Sequence, residues 1–189
     1  MRQALDWFHA HWLSRRASGV VTNLPQVNST DQVDASAFRG ALAQWASGVT
    51  IVTAATADGP VGLTASSFSS LSLDPPLVLV CIDQRGGSHD PLTGADGFAV
   101  HLLDASQEQL SNHFARGAAD KFDKTDWRTG RFNAPLLPLG LARIVCQRET
   151  LVEGGDHTIL VGRVVEVETA QGRPLLYWAG GYRGLAPSD

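Results

Sequence analysis

Three short segments of the 189-residue sequence bring together side chains that could do chemistry, and a fourth frames them. The first is Gly62-Leu63-Thr64-Ala65-Ser66-Ser67-Phe68-Ser69-Ser70. Small side chains there let a flat ligand reach backbone N–H and C=O groups, and the hydroxyls suit ribityl or phosphate oxygens. An edge strand with a polar outer face explains the same composition. The second, Arg85-Gly86-Gly87-Ser88-His89-Asp90, offers a glycine turn, one cation and a serine at a helix start, where free N–H groups favour an anion. A plain N-cap by Ser88 accounts for it equally well. The third, Glu153-Gly154-Gly155-Asp156-His157-Thr158, is a turn in which glycine permits positive φ and Asp156 can orient His157. On its own it also reads as a hairpin with an exposed histidine. The framing segment, Leu71 to Asp83, contains Pro75-Pro76, which ends one strand and sets the entry to a buried one. Cys81 within it reads as a small buried hydrophobe.

Other chemistries find no residues. His9 and His11 fall on opposite sides of a helix, His101 lies in a strand and His113 ends a helix, so no metal site is expected. There is no Gly-x-Ser-x-Gly elbow, no HExxH and no suitably spaced carboxylate pair, which removes the usual hydrolytic machinery.

Hydrophobic patterning supplies the elements that must position these segments. Residues 1–34 read as an arm: Leu5, Phe8 and Trp12 mark a short amphipathic helix, followed by a loose stretch rich in Gly, Asn, Ser and Pro. The domain proper, 35–189, opens with a helix capped by Ser36, carrying Phe38, Leu42 and Trp45 on one face and stopped by Gly48. Strands are expected at Val49–Ala55, Val61–Ser70, Leu77–Asp83, Phe98–Leu103, Ala142–Val152, Thr158–Glu168 and Pro174–Trp178, with a turn at Asp58-Gly59-Pro60. A second helix is expected over Ser106–Phe114. Closely spaced strands with few helices point to a mainly β antiparallel barrel. A Rossmann sheet is excluded, because no GxGxxG opens a helix after a strand.

Composition narrows the function classes. Fifteen Lys+Arg against 19 Asp+Glu give a net charge of −4, without the basic stripe of a nucleic-acid surface. The longest apolar run, Pro75 to Ile82, is far short of the ~20 residues that span a bilayer. Cys81 and Cys146 form no CxxC pair and no disulfide framework, so a cytoplasmic setting is expected. Low charge (18%) with 19 Gly and 5 Trp leaves more apolar surface than a monomer readily hides. A homodimer is therefore expected, with Trp45, Trp7 and Trp12 as contributors.

Taken in order, the segments resemble the flavin reductase-like family of FMN-binding split barrels, which includes the reductase components of two-component flavin monooxygenases. The likeness is carried by Phe38-Arg39, Ala46 to Thr53, Thr64 to Ser70, Asp74-Pro75-Pro76-Leu77, Cys81-Ile82-Asp83, Ser88-His89, Asp120-Lys121-Phe122, Gly155-Asp156-His157 and Tyr177 to Tyr182. It implies a six-stranded Greek-key split barrel with flanking helices, dimeric, with flavin near the subunit interface. By the same resemblance, Thr64, Ala65, Ser66 and Ser67 line the isoalloxazine and ribityl chain. Cys81 and Asp83 flank the flavin, Ser88 approaches its phosphate, and Phe114 and Lys121 stand near its tail. In Gly155-Asp156-His157, His157 meets the nicotinamide. Two features depart from the family: Asp83 stands where a Cys-x-Asn pattern is common, and the arm lies outside the family core.

The resemblance implies an NAD(P)H:flavin oxidoreductase of the EC 1.5.1 type, using FMN or FAD and NADH or NADPH, and feeding a partner monooxygenase. A self-contained FMN-dependent oxidase or oxygenase and a non-catalytic flavin-binding protein are the alternatives; Gly-Asp-His has no obvious use in mere storage. Hydride transfer suits a chain without a triad, since cofactors carry the reactive groups and the protein supplies placement and electrostatics. His157 then positions the reductant and does not act as an acid.

Overall fold

A computed structural model of the chain describes residues 33–117 and 120–185. The arm's expected helix, with Trp7 and Trp12, lies outside the described residues. The chain divides into two units after Phe38, and the second carries the architecture below.

Helix α1 (Ala35–Leu42) is capped by Asp34, whose Oδ2 accepts from Ala37 N at 2.9 Å, and not by Ser36, which lies inside the helix. An Asp one residue before the first turn offers its carboxylate to the free N–H groups there. The helix ends at Leu42, well before Gly48. Phe38, Leu42 and Trp45 are all exposed, Trp45 at 77%.

The main sheet is antiparallel, in the order β3-β2-β6-β9-β10-β5-β4. Its strands are β2 (Thr50–Thr56), β3 (Gly59–Ala65), β4 (Phe68–Leu73), β5 (Pro76–Asp83), β6 (Gly97–Leu102), β9 (Ala142–Gly154) and β10 (His157–Thr169). Short strands β1 (Ser47–Gly48), β11 (Leu176–Trp178) and β12 (Gly181–Arg183) form a second sheet; β7 (Arg128–Thr129) and β8 (Pro135–Leu136) form a third. Helices α2 (His89–Gly94) and α3 (Glu108–Ala115) complete the set. The expected run Val61–Ser70 is two strands. After Ala65 the chain leaves its pairing with Thr50, and from Phe68 it pairs with Val80, so β3 and β4 are opposite edges of one ladder. Only Ser66 and Ser67 join those edges, and two residues span so little distance that the sheet must curl until its edges meet there. The ladder thus has seven strands instead of six and stays open between β3 and β4 among the described residues.

Side-chain alternation explains which face packs inward. On β5, Val78, Val80 and Ile82 are buried with Leu160, Phe98 and Val52, while Leu77, Leu79, Cys81 and Asp83 lie on the half-buried outer face. A second cluster packs Phe114 of α3 against Ile51, Leu103 and Leu175. Gly62 lets this packing close: a Cβ there would sit 2.9 Å from the Phe114 ring.

Among the buried polar residues of the sheet, Thr53, His101 and Arg143 form a cluster. Thr53 Oγ1 donates to the Pro135 carbonyl at 2.6 Å, so its lone pair accepts from His101 Nε2 at 3.1 Å. Nε2 thereby carries a proton, and among the described residues neither His101 Nδ1 nor Arg143 Nε, its neighbour across the ladder, has a partner. Burial, with the Arg143 charge adding, pushes the His101 pKa down to about 3.

Candidate active site

The Ser66-Ser67 crossing concentrates uncommitted polar groups. Thr64 Oγ1 donates to the Ser111 carbonyl at 2.6 Å, and Ser67 Oγ donates to the Cys81 carbonyl at 2.8 Å. Both hydroxyls have therefore spent their protons and can only accept. Among the described residues, the N–H groups of Ser66 and Ser67 have no turn or loop partner, and the Ser66 hydroxyl has no side-chain partner. The chain must break off one ladder before joining the next, and the break leaves these donors free.

A cavity of about 410 Å³ opens beside them. Thr64 and Ser66 form one wall, Asn112 and Ala115 of α3 another, and Tyr177 and Tyr182 of the β11–β12 hairpin the third. The two tyrosine rings meet edge-on with centroids 5.5 Å apart. Tyr182 Oη lies 2.8 Å from Ser111 Oγ, which ties the hairpin to the helix that also holds Thr64. No lining residue is charged, so the cavity suits a neutral, flat, partly polar group.

From Ser67 the track continues along β5. The Ser67–Cys81 bond joins the crossing to that strand, and Asp83 follows on the same face, about 7 Å further on. The β5–β10 register sets Asp83 opposite His157. Gly155 takes φ +73° in the tight turn between β9 and β10, a conformation that suits glycine. Asp156 Oδ1 then lies 2.7 Å from His157 Nδ1, which fixes the imidazole and leaves Nε2 pointing away from this contact. Arg85 grips Asp83 through Nε at 3.2 Å and Nη2 at 3.1 Å. That hydrogen bonding holds the Asp83 carboxyl down at about 2. The hydrogen bond from His157 lowers Asp156 likewise. Next to this end, His89 Nε2 meets Thr158 Oγ1 at 2.8 Å while its Nδ1 meets Asp90 at 2.7 Å. Ser88 precedes α2 without a side-chain capping bond.

Thr64, Ala65, Ser66, Ser67, Cys81, Asp83, Asp156 and His157 therefore lie on three segments joined by the Ser67–Cys81 bond and the Asp83–His157 pairing, with Gly155 shaping the turn and Ser88 in the loop that follows Asp83 and Arg85. Ala65 contributes backbone, its side chain being buried. Phe114 and Lys121 stand elsewhere. Phe114 has no exposed surface and fills the core behind Gly62. Lys121 is buried, its ammonium donating to the Gly62 carbonyl at 2.9 Å and the Phe114 carbonyl at 3.0 Å. Burial lowers its pKa. Asn112, Tyr177 and Tyr182 line the cavity, although the sequence assigned them no role. The aromatic spacing of Tyr177 and Tyr182 around Gly180-Gly181 was the available signal. Among the described residues no His, Cys, Asp or Glu cluster could hold a metal ion, and no helix is long and apolar enough to cross a membrane.

The chain as a whole matches a known family. The family model described as a flavin reductase like domain matches residues 42–186. The chain belongs to the flavin reductase-like family. It is 42% identical over 145 residues to an FMN reductase (NADH) of Agrobacterium fabrum, covering 77% of this chain and 83% of that protein. It is 36% identical over 159 residues to the reductase subunit of a flavin-dependent monooxygenase of Mycobacterium tuberculosis, covering 82% and 85%. A relative in Rhizobium meliloti described as a "Probable flavin reductase" is 43% identical over 150 residues; the match covers 79% of this chain but only 48% of that protein. Among solved structures, the NADH:FAD oxidoreductase of Streptomyces globisporus, in complex with NAD and FAD fragments, superposes with a TM-score of 0.77 at 37% identity. That match covers 87% of this chain and 98% of the other.

The donors fit a flavin. A flavin's ring edge needs N–H donors, and Ser66 and Ser67 have them free. Its ribityl chain needs hydroxyls and acceptors, which Thr64, Ser67 and Asp83 supply. Its ring needs uncharged walls, and the tyrosine cavity has no charge.

Proposed function

We propose that this chain is an NAD(P)H:flavin oxidoreductase of the EC 1.5.1 type. It takes FMN or FAD, accepts a hydride from NADH or NADPH, and supplies reduced flavin to a flavin-dependent monooxygenase component. The observation that carries this reading is the free N–H pair of Ser66-Ser67, continuous through Cys81 and Asp83 with the oriented imidazole of His157.

When bound, the flavin supplies the hydride acceptor at its N5, and the nicotinamide supplies the hydride. The chain's residues perform the rest. The Ser66 and Ser67 N–H groups donate to the ring edge; preorganised donors of this kind are worth at most ~2.7–4 kcal/mol each. Thr64 Oγ1 and Ser67 Oγ, their protons committed to carbonyls, accept from ribityl hydroxyls. Asp83 also accepts there, and its bond to Arg85 keeps its charge balanced beside a phosphate. Ser88 offers its free hydroxyl to that phosphate. His157 receives the nicotinamide end, with Asp156 fixing the ring, so that the reacting atoms come within about 3–3.5 Å. Phe114 and Lys121 support the flavin site from behind, through Gly62 and α3.

The finer architecture proposed is a split barrel of the Greek-key type, spanning 35–189 after an arm at 1–34, in a cytoplasmic homodimer. Support for the dimer comes from the outer face of β5 and β10, where half-buried Leu77, Leu79 and Ile159 continue directly from Cys81 and Asp83. Exposed Val152 extends that face, and a second copy covering it would wall the flavin track.

The test is aerobic nicotinamide oxidation by the purified protein. A diffusible-flavin reductase is nearly colourless and oxidises NAD(P)H only when free FMN or FAD is added. A yellow protein inert towards both reductants would contradict the reading.

A further inference from the structure

The turn that carries His157 stands out from the domain on its β9 side. Residues 149–156 are all exposed, so among the described residues the holds on this turn come from β5, the loop after it and α2. Beyond the backbone ladder, which ends with Gln84 N donating to the Asp156 carbonyl at 3.0 Å, three side chains reach it. Gln84 Nε2 lies 3.4 Å from the His157 carbonyl and 3.5 Å from Thr158 Oγ1, both long for a hydrogen bond. Arg85 Nη2 lies 3.8 Å from Asp156 Oδ2, and both side chains are open to solvent, where an ion pair holds little. His89 Nε2 meets Thr158 Oγ1 at 2.8 Å, and Thr158 is buried. Of these three holds, only the last is both short and shielded from water.

The imidazole that makes this hold is itself fixed. His89 opens α2; its N–H donates to the Gly86 carbonyl at 2.9 Å, and its carbonyl accepts from Thr93 Oγ1 at 2.9 Å. Leu92, three residues on, is fully buried and anchors the helix. Asp90 Oδ1 lies 2.7 Å from His89 Nδ1; an ionised carboxylate only accepts, so Nδ1 carries the proton. Nε2 of the neutral ring then accepts, and the Thr158 hydroxyl donates to it. Successive residues of a strand face opposite ways. His89 therefore grips Thr158 from the inner face, while His157 projects on the outer face beside Asp83.

We propose that His89, its tautomer set by Asp90, is a positioning residue of the hydride-transfer site: through Thr158 it fixes the strand end from which His157 meets the nicotinamide. The proposal rests on the reading of His157 as the nicotinamide contact. Hydride transfer needs the reacting atoms within about 3–3.5 Å, and a contact residue on a loosely held hairpin would admit many poses that do not react. Asp156 sets how the His157 ring is turned, and His89 sets where that ring stands. Ser88-His89-Asp90 reads from sequence as an anion-binding helix start, and the clamp gives its histidine a second task.

The test is a double-mutant cycle. Nicotinamide KM, kcat, flavin affinity and urea stability are measured for wild type, Thr158→Val, His157→Ala and the pair, with Thr158→Ser as the conservative variant. Thr158→Val keeps the shape and deletes the hydroxyl. It should raise nicotinamide KM roughly fivefold, the factor set by one net hydrogen bond, and change flavin affinity by less than about twofold. Thr158→Ser should restore KM. In the His157→Ala background Thr158→Val should leave KM unaltered, because the residue it positions is gone. A loss of stability alone would act equally in both backgrounds. His89→Ala removes the other partner and should give the same pattern, which keeps the test open if Thr158→Val does not fold. Imidazole ¹⁵N shifts, recorded without flavin or reductant, read the clamp directly. His89 should be the Nδ1–H tautomer in wild type, and Thr158→Val should shift its Nε2 signal. An unchanged KM in the folded variants, an equal factor in both His157 backgrounds, or an Nε2–H tautomer at His89 would overturn the proposal. His157→Ala without effect on nicotinamide kinetics would remove the reading on which the proposal rests, and the proposal with it. An intact Nδ1–H signature at His89 would tell that failure apart from failure of the clamp.

Discussion

Lowering the pH from 7 to 5 should destabilise this protein through His101, and the size of that loss follows from its surroundings. The ring sits in the sheet with Thr53, the Pro135 carbonyl and Arg143 as its polar neighbours, and it is 1% exposed. Protonation would place a second cation beside the Arg143 guanidinium, whose carboxylate partner, Glu168, is already engaged with Arg143 at 2.6 Å. Its folded pKa is about 3, against 6.5 for the free side chain. The folded value lies below the unfolded one, so the unfolded chain takes up the proton first. The contribution is fully present above about pH 6.5, and it is lost progressively as pH falls towards 3. Each unit of pH within that window costs about 1.36 kcal/mol, which gives a loss of about 2 kcal/mol at pH 5 and about 3 kcal/mol at pH 4. Against a typical stability of roughly 5–15 kcal/mol, such a loss is readily measured. Urea unfolding at a series of pH values, in wild type and His101→Gln, isolates the effect. The glutamine amide can still donate to Thr53 but does not titrate, and the shifted surface carboxylates, Asp83 among them, cancel in the difference. The wild-type curve should fall relative to the variant by about 2 kcal/mol between pH 7 and pH 5. Parallel curves, or a His101 resonance titrating near pH 6.5 in the folded state, would refute the reasoning.

Three substitutions test the framework and the site. Gly62→Ala puts a Cβ 2.9 Å from the Phe114 ring, and should lower stability by about 1–3 kcal/mol in thermal or urea unfolding. Lys121→Met strands two carbonyls in the core, and should cost about 1–3 kcal/mol of stability while flavin affinity changes less than about threefold. A large loss of flavin affinity with unchanged stability would make Lys121 a direct ligand. His157→Ala should raise KM for the nicotinamide by roughly tenfold, the worth of one good contact, and leave flavin affinity nearly unchanged. Unaltered nicotinamide kinetics would remove His157 from the site.

Much of the framework was legible in the sequence because it rests on local signals. A continuous apolar run after Pro75-Pro76 marks β5, alternation marks β10, and Gly155 marks the turn that presents His157. What escaped was set by tertiary partners. Val61 to Ser70 reads as one strand, since nothing local says that Ala65 pairs with Thr50 while Phe68 pairs with Val80. Yet the break between them is what frees the Ser66 and Ser67 donors. Asp34 and Ser36 are both good caps, and only the Ala37 hydrogen bond decides between them. Lys121 shows the limit of residue type as a guide. A lysine in a matching motif suggests an anion, but its distance to two carbonyls, fixed by the packing of Phe114 and Phe122 under Gly62, gives it a structural task. Arg85 shows the converse: its charge was visible, and its clasp on Asp83 and Asp156 depends on the β5–β10 register.

Anaerobic stopped-flow mixing of the protein with NADH or NADPH and with FMN or FAD, in all four pairings, tests the central claim most directly. The account predicts that flavin absorbance bleaches, mole for mole with nicotinamide oxidised, only when protein, free flavin and reductant are all present. Flavin that stays oxidised in every pairing, with the protein folded, would contradict it.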